Sequence, residues 1–140
     1  MQLARIARTL PPRLASGAYI LHAGLGKWRP NQQLAEGLHA SASSAFPWLK
    51  RIPPERFLRL LASGEIGTGA LIVAPLVPRA VAGGALTLFS GALLTMYLRT
   101  PEMHLPGSVW PSSRGTAVSK DVWMLGIGLG LLLDAATDPG

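Results

Sequence analysis

The chain of 140 residues contains no cysteine. It can form no disulfide and run no thiol exchange of its own, so any thiol chemistry associated with it belongs to a partner. Charge is scarce too. Asp, Glu, Lys and Arg make up 14% of the residues, against about a quarter in ordinary soluble domains. The three histidines, His22, His39 and His104, show no ligand spacing, which argues against a metal site. No segment repeats at a fixed period, and no nucleophile–base pair, nucleotide motif or haem-ligand pair appears. The glycine-rich stretches follow no strand signal, so they are not phosphate loops.

What the chain does have is apolar length. Between Arg59 and Arg99 the only charges are Glu65 and Arg79, and none falls between Val122 and Leu133. A run such as "VWMLGIGLGLLL" is apolar on every side and must be buried in a large core or in lipid. A single domain of this length has too small an interior to hide several such helices. The fold class that follows is all-α: an integral membrane four-helix bundle. Four spans, each near the ~20 residues a bilayer needs, run over about 10–27, 55–77, 78–98 and 120–136. Pro11 and Pro12 fall in the first turn of span one, while Pro75 and Pro78 close span two. The arginine-rich start followed by "LASGAYILHAGLG" has the outline of a secretory signal. No clear small-x-small cleavage site precedes a polar start, so span one is read as a retained helix.

The connections differ in character. Residues 30–54 carry Leu34, Leu38 and Ala42 at i, i+4 and i+8, the pattern of a short amphipathic helix that lies along the membrane interface and connects helices 1 and 2. Phe46 and Trp48 would anchor its end. Serines 41, 43 and 44 keep a plain loop open as the alternative. Pro101, Pro106 and Pro111 argue against a regular helix over 101–119.

The net charge of +6 does not point to nucleic acid, because no basic stripe with interleaved aromatics is present. The basic residues sit at helix ends instead. Lys27, Arg29, Lys50, Arg51, Arg56, Arg59, Arg99, Arg114 and Lys120 lie on the side of the two long loops. Arg5, Arg8, Arg13 and Arg79 lie on the other. The imbalance places the long loops in the cytoplasm and both termini together outside, as a multi-pass protein of the cell membrane.

Glu65 is the outlier in "LLASGEIGTGALIVAPL" (60–76), since an intramembrane carboxylate needs a partner or a cavity. At 1.5 Å per residue it lies roughly 9 Å inside Arg59, and His22 roughly 7–8 Å inside Lys27 on the antiparallel first helix. Lys27, Lys120 and Asp121 lie near the same boundary. The expected polar cluster is therefore His22, Lys27, Glu65, Lys120 and Asp121. Gly64, Gly67, Gly126 and Gly130 are expected at helix contacts, the last two as a G-x-x-x-G pair.

Three segments carry a resemblance: "RLASGAYILHAGLGK" (13–27), "EIGTGALIVAPLVPRAVAGGAL" (65–86) and "KDVWMLGIGLGLLLD" (120–134). Together, in this order and spacing, they resemble the DoxX family of small four-helix membrane proteins. The resemblance implies a membrane bundle. It also implies association with membrane oxidoreductases that reduce quinone, or with thiol or oxidative-stress partners, and it brings no settled catalytic set. The proline-rich third loop stands outside that pattern.

Two function classes follow. In the first, the protein is a non-catalytic accessory or anchoring subunit of a redox complex, embedded in the lipid bilayer, with oligomerisation left open. In the second, it binds a quinone-like lipophilic molecule whose protons Glu65 handles with His22. A small permease fits less well, since four spans without an inverted repeat match no common transporter plan. The first class is preferred, with no cofactor, no metal and no catalytic residue of its own.

Overall fold

The computed structural model describes residues 2–29 and 31–138. Its elements are helices in the order α1 (Gln2–Lys27), α2 (Gln32–Ala45), α3 (Pro54–Val73), α4 (Arg79–Arg99), α5 (Thr116–Ser119) and α6 (Asp121–Thr137). Short 3-10 turns occupy Pro47–Arg51 and Pro101–Met103. Local chemistry sets most of the boundaries. Asn31 caps α2, its side-chain oxygen accepting from the Leu34 amide at 3.0 Å. Pro54 starts α3, where its missing N–H costs nothing. The helix ends at Val73, short of the expected 77, because Pro75 pushes Ala74 into extended backbone (φ −64°, ψ 117°).

The first helix begins at Gln2, not near Leu10, and Pro11 and Pro12 lie inside it. Its extra turns are held from outside: Arg5 pairs with Asp138 at 2.9 Å and Arg8 with Asp134 at 2.8 Å. Those pairs also bring the two ends of the described chain to one end of the molecule.

The long helices pack as two antiparallel pairs, α1 with α3 and α4 with α6, joined through the α3–α4 turn. Each pair closes on glycine. A Cβ on Gly69 would lie 2.7 Å from the Leu21 backbone, and one on Gly83 would lie 2.9 Å from the Gly128 carbonyl. A Cβ on Gly128 would meet Thr87 Oγ1 at 2.5 Å. The four glycines expected at contacts are elsewhere: nothing lies within 4 Å of a Cβ on Gly64, Gly67, Gly126 or Gly130. The reason is phase. The inward stripe of α3 is Leu58, Ala62, Glu65, Gly69 and Ile72, and that of α6 runs through Gly128 and Leu131. Two residues along a helix is a turn of about 200°, so Gly126 and Gly130 face away from the contact that Gly128 makes.

Two apolar clusters result. Ile20, Ile72, Ala82 and Leu86 fill the centre of the long helices, with Met124 and Ile127 packed against them. Ala42, Ala45, Leu49, Met96, Tyr97 and Met103 form a second core at the other end, which we call the head. In α2 the buried residues are Ala35, Ala42, Ser43 and Ala45, so its inward face is shifted from the Leu34–Leu38 row. The third loop avoids helix around its prolines. It turns at Gly107 (φ +68°), and His104 bridges antiparallel to Pro111. Tyr97 donates its hydroxyl to the Val109 carbonyl at 2.6 Å, tying that hairpin to α4.

Among the described residues, two helical stretches are long and apolar enough to cross a membrane, Arg79–Arg99 and Thr116–Thr137. Only 11% of the most apolar window of the second is buried. A helix that is both apolar and uncovered is built for lipid, not for a soluble core.

The packing assigns different tolerances to neighbouring glycines. Gly128→Leu and Gly69→Leu should each overpack a helix contact, costing about 1–3 kcal/mol or more. Gly126→Leu and Gly130→Leu should leave thermal stability in detergent unchanged. Equal loss at Gly126 and Gly128 would invert the assigned face of α6.

Candidate functional site

The one carboxylate in the middle of α3 is buried at 5% exposure and engaged. Lys27, on the last turn of α1, donates from Nζ to both oxygens of Glu65, at 3.0 and 3.1 Å. The approach depends on Gly24, one turn earlier on the same helix. A Cβ there would lie 2.9 Å from the Glu65 Cβ, so glycine lets the α3 backbone come close enough for Lys27 to fold back over the acid. Charge-assisted donation to both oxygens is the strong form of such a bond.

Asp121, the first residue of α6, lies within Coulombic reach of both Glu65 and Lys27. Three of the five expected cluster residues therefore come together: Lys27, Glu65 and Asp121. The other two do not. His22 and Lys120 have exposed side chains. Equal depth does not give equal azimuth: His22 lies off the α1 face that carries Ile20, Gly24 and Lys27. Direct contact joins one pair of the five, the Lys27 ammonium on the Glu65 carboxylate, where the end of α1 meets α3.

A second buried charge lies at the opposite end of the same helix pair. Arg13 is 5% exposed and donates Nε to the Ile72 carbonyl at 2.7 Å. Its terminal nitrogens reach the carbonyls of Ala74 at 2.6 Å and Val77 at 3.0 Å. These acceptors lie at the end of α3 and in the turn beyond it, where helical donors run out and the helix dipole also favours a cation. Sequence reasoning counted Arg13 only as an end charge. The available signal was an arginine inside an apolar span, opposite a proline-broken helix end.

The termini are clamped by charge as well. Arg79 pairs with Asp134 and also donates to the Asp138 carbonyl, while Arg8 donates to the Asp138 carboxylate at 3.1 Å. Beyond the end of α6, the Arg8 hydrogen bond, with the nearby charges of Arg5 and Arg79, holds the Asp138 carboxyl below its usual range. Among the described residues, no group of three or more His, Asp and Glu could hold a metal ion.

A family model described as DoxX matches residues 9–98, a stretch that contains Arg13, Gly24, Lys27 and Glu65. The match ends before the third loop and α6. No curated protein and no solved structure matches the chain.

The Lys27–Glu65 geometry fixes an order of mutational cost. Lys27→Met leaves Glu65 buried beside Asp121 without a cation and should cost roughly 3–5 kcal/mol. Glu65→Leu should cost less, because Lys27 keeps Asp121 within reach and is itself partly exposed. The double variant should recover much of the larger loss, whereas His22→Leu and Lys120→Gln should stay within about 0.5 kcal/mol. Thermal unfolding in detergent measures all five, and a double variant no better than Lys27→Met would refute the pair.

Asp138 gives a pH dependence of defined sign. A carboxyl whose folded pKa is depressed stabilises above its unfolded value, about 3.9 for Asp, and loses that contribution as pH falls through the folded value. The stability difference between the wild type and Asp138→Asn should be constant from neutral pH to about 4 and shrink below it. A difference that grows on acidification would be incompatible with the Arg8 bond.

Proposed function

Because the chain belongs to the DoxX family, we propose that it is an integral membrane protein in which α1, α3, α4 and α6 all cross the bilayer. In this reading it serves as a non-catalytic accessory or anchoring subunit of a membrane redox or oxidative-stress complex. The observation that carries the reading is the engagement of Glu65, whose two oxygens are both taken by Lys27. An acid held in that way joins helices; it is not poised to trade protons with a substrate. The buried cation at the other end, Arg13, is likewise satisfied by the fold itself.

What the chain leaves unpartnered is surface. Leu88, Trp123 and Leu133 are exposed along the long helices, as lipid contact requires. On the head, Val109 and Trp110 are about as exposed at the tip of a hairpin that Tyr97 holds in place. That tip is the surface this reading assigns to a protein partner. The excess of basic residues on the head side favours a cytoplasmic head with both termini outside.

A second reading, binding of a quinone-like molecule, draws on one observation. Glu65 is a buried carboxylate deep in an apolar helix, the kind of intramembrane acid that marks proton pathways. There Glu65→Gln would fold normally and abolish function. In the preferred reading it would lower stability and complex yield together.

Purification in mild detergent with mass spectrometry of what is retained separates the two. A stoichiometric membrane oxidoreductase or oxidative-stress enzyme, lost on combining Val109→Ser with Trp110→Ala at unchanged thermal stability, is the expected result. Retained quinone without any protein partner would overturn it. Reporter fusions at the two ends should report the same face, outside; opposite faces would remove the four-span topology.

A further inference from the structure

A groove of about 670 Å³ opens where α1 ends and α2 and α3 begin. Lys27, Arg29, Arg56 and Arg59 line it, with Glu55 as the only acid on its wall. Lys27 is committed to Glu65, but among the described residues Arg29, Arg56 and Arg59 have no carboxylate within ion-pair distance. Three unpaired guanidiniums around one concavity form a receptor for a phosphate-type anion, which guanidinium recognises in bidentate fashion.

The second half of the site is apolar. A further groove of about 450 Å³ is lined by Leu25, Trp28, Ser63, Ile66 and Gly67. Trp28 belongs to both grooves, and the Arg59 guanidinium sits 4.9 Å from the centre of its ring. From Arg59 to Gly67 the wall follows α3 inward for about 12 Å. Gly67 keeps that wall low, since nothing lies within 4 Å of where its Cβ would be. Cations at the helix ends and a channel of apolar residues running toward the midplane are the two halves of a phospholipid's complement. A free anion would use only the first.

We infer that this junction holds one anionic glycerophospholipid, its phosphate on Arg29, Arg56 and Arg59 and an acyl chain along Leu25, Trp28, Ile66 and Gly67. The head side carries the basic excess, and the cytoplasmic leaflet it would face is the one rich in anionic lipid. The lipid would cover the lipid-side flank of the Lys27–Glu65 contact and so couple that contact to bilayer composition. The inference rests on the membrane placement proposed above and is independent of the accessory role.

Native mass spectrometry of the detergent-solubilised chain tests it, with dioleoyl phosphatidylglycerol and dioleoyl phosphatidylcholine as probes. The phosphatidylglycerol adduct should be one to one and survive activation that strips phosphatidylcholine. Combining Arg56→Gln with Arg59→Gln should weaken it about tenfold or more, while Arg114→Gln, at an exposed pair in the third loop, should not. Gly67→Leu, placed where the backbone has room, should weaken the adduct at unchanged lipid-free thermal stability. That variant keeps the test open if the arginine pair fails to fold. Equal retention of both lipids, indifference to both groove variants, full competition by millimolar inorganic phosphate, or one-for-one displacement by a quinone would each overturn the inference. Loss of lipid selectivity in a protein that still requires detergent would leave the membrane placement standing.

Discussion

A carboxylate inside an apolar helix has no water to fall back on, so the position of Glu65 dictates where α1 must sit. Its partner has to reach it from a neighbouring helix, and Lys27 does so over the gap that Gly24 leaves open. Once that contact is set, the register between α1 and α3 is fixed at the head end. The alternative registers would strand a charge in apolar surroundings, which costs several kcal/mol. A polar pair of this kind contributes little to net stability against a well-packed apolar one. It specifies a single arrangement among many that glycine-rich helices could adopt.

The same pair of helices is pinned again at the far end by a different device. Among the described residues Arg13 meets no acid; it donates to carbonyls at the end of α3 and in the turn beyond it, where Pro75 and Pro78 supply no backbone N–H. Two cations of α1, Arg13 buried and Lys27 partly exposed, therefore grip α3 at both ends, with Gly17 and Gly69 allowing close approach between them. The α4–α6 pair is held by shape, through Gly83 and Gly128, and by charge only at its outer end, through Arg79 and Asp134. Arg5 and Arg8 then tie α1 to the end of α6, closing the set of long helices.

Much of this was legible, and the limits have physical causes. The two most apolar helices, α4 and α6, followed from charge-free runs, and the helix-rise argument put Lys27 at the level where it meets Glu65. Depth is one coordinate, however, and azimuth is another. His22 shares the depth of Glu65 but points off the packed face, and Lys120 is exposed although its neighbour Asp121 is drawn in. The glycines failed for the same reason. A G-x-x-x-G spacing marks a face that allows close approach without saying which face is approached, and in α6 the close approach uses Gly128 between the two. Arg13 was hidden by its neighbours, since three arginines near the start read as topological charge until the fold turns one inward. The extension of α1 to Gln2 could not be read locally, because its support comes from Asp134 and Asp138 at the far end of the chain.

Hydropathy separates the two helix pairs, and the reason lies in their charges. The test for a membrane-crossing helix is met by α4 and by the stretch ending in α6, while α1 and α3 fall short. Yet α1 and α3 are the helices that carry Arg13, Lys27 and Glu65, and hydropathy counts each of those as though it faced solvent. In the fold they face one another or backbone carbonyls, so the outward surfaces of the pair are less polar than its composition. Exposed Leu14, Tyr19, Leu25, Leu60 and Leu71 mark those outer surfaces. A paired charge inside a two-helix unit is invisible to lipid. The membrane placement proposed for α1 and α3 therefore depends on the same Lys27–Glu65 contact that sets their register, and one interaction accounts for both.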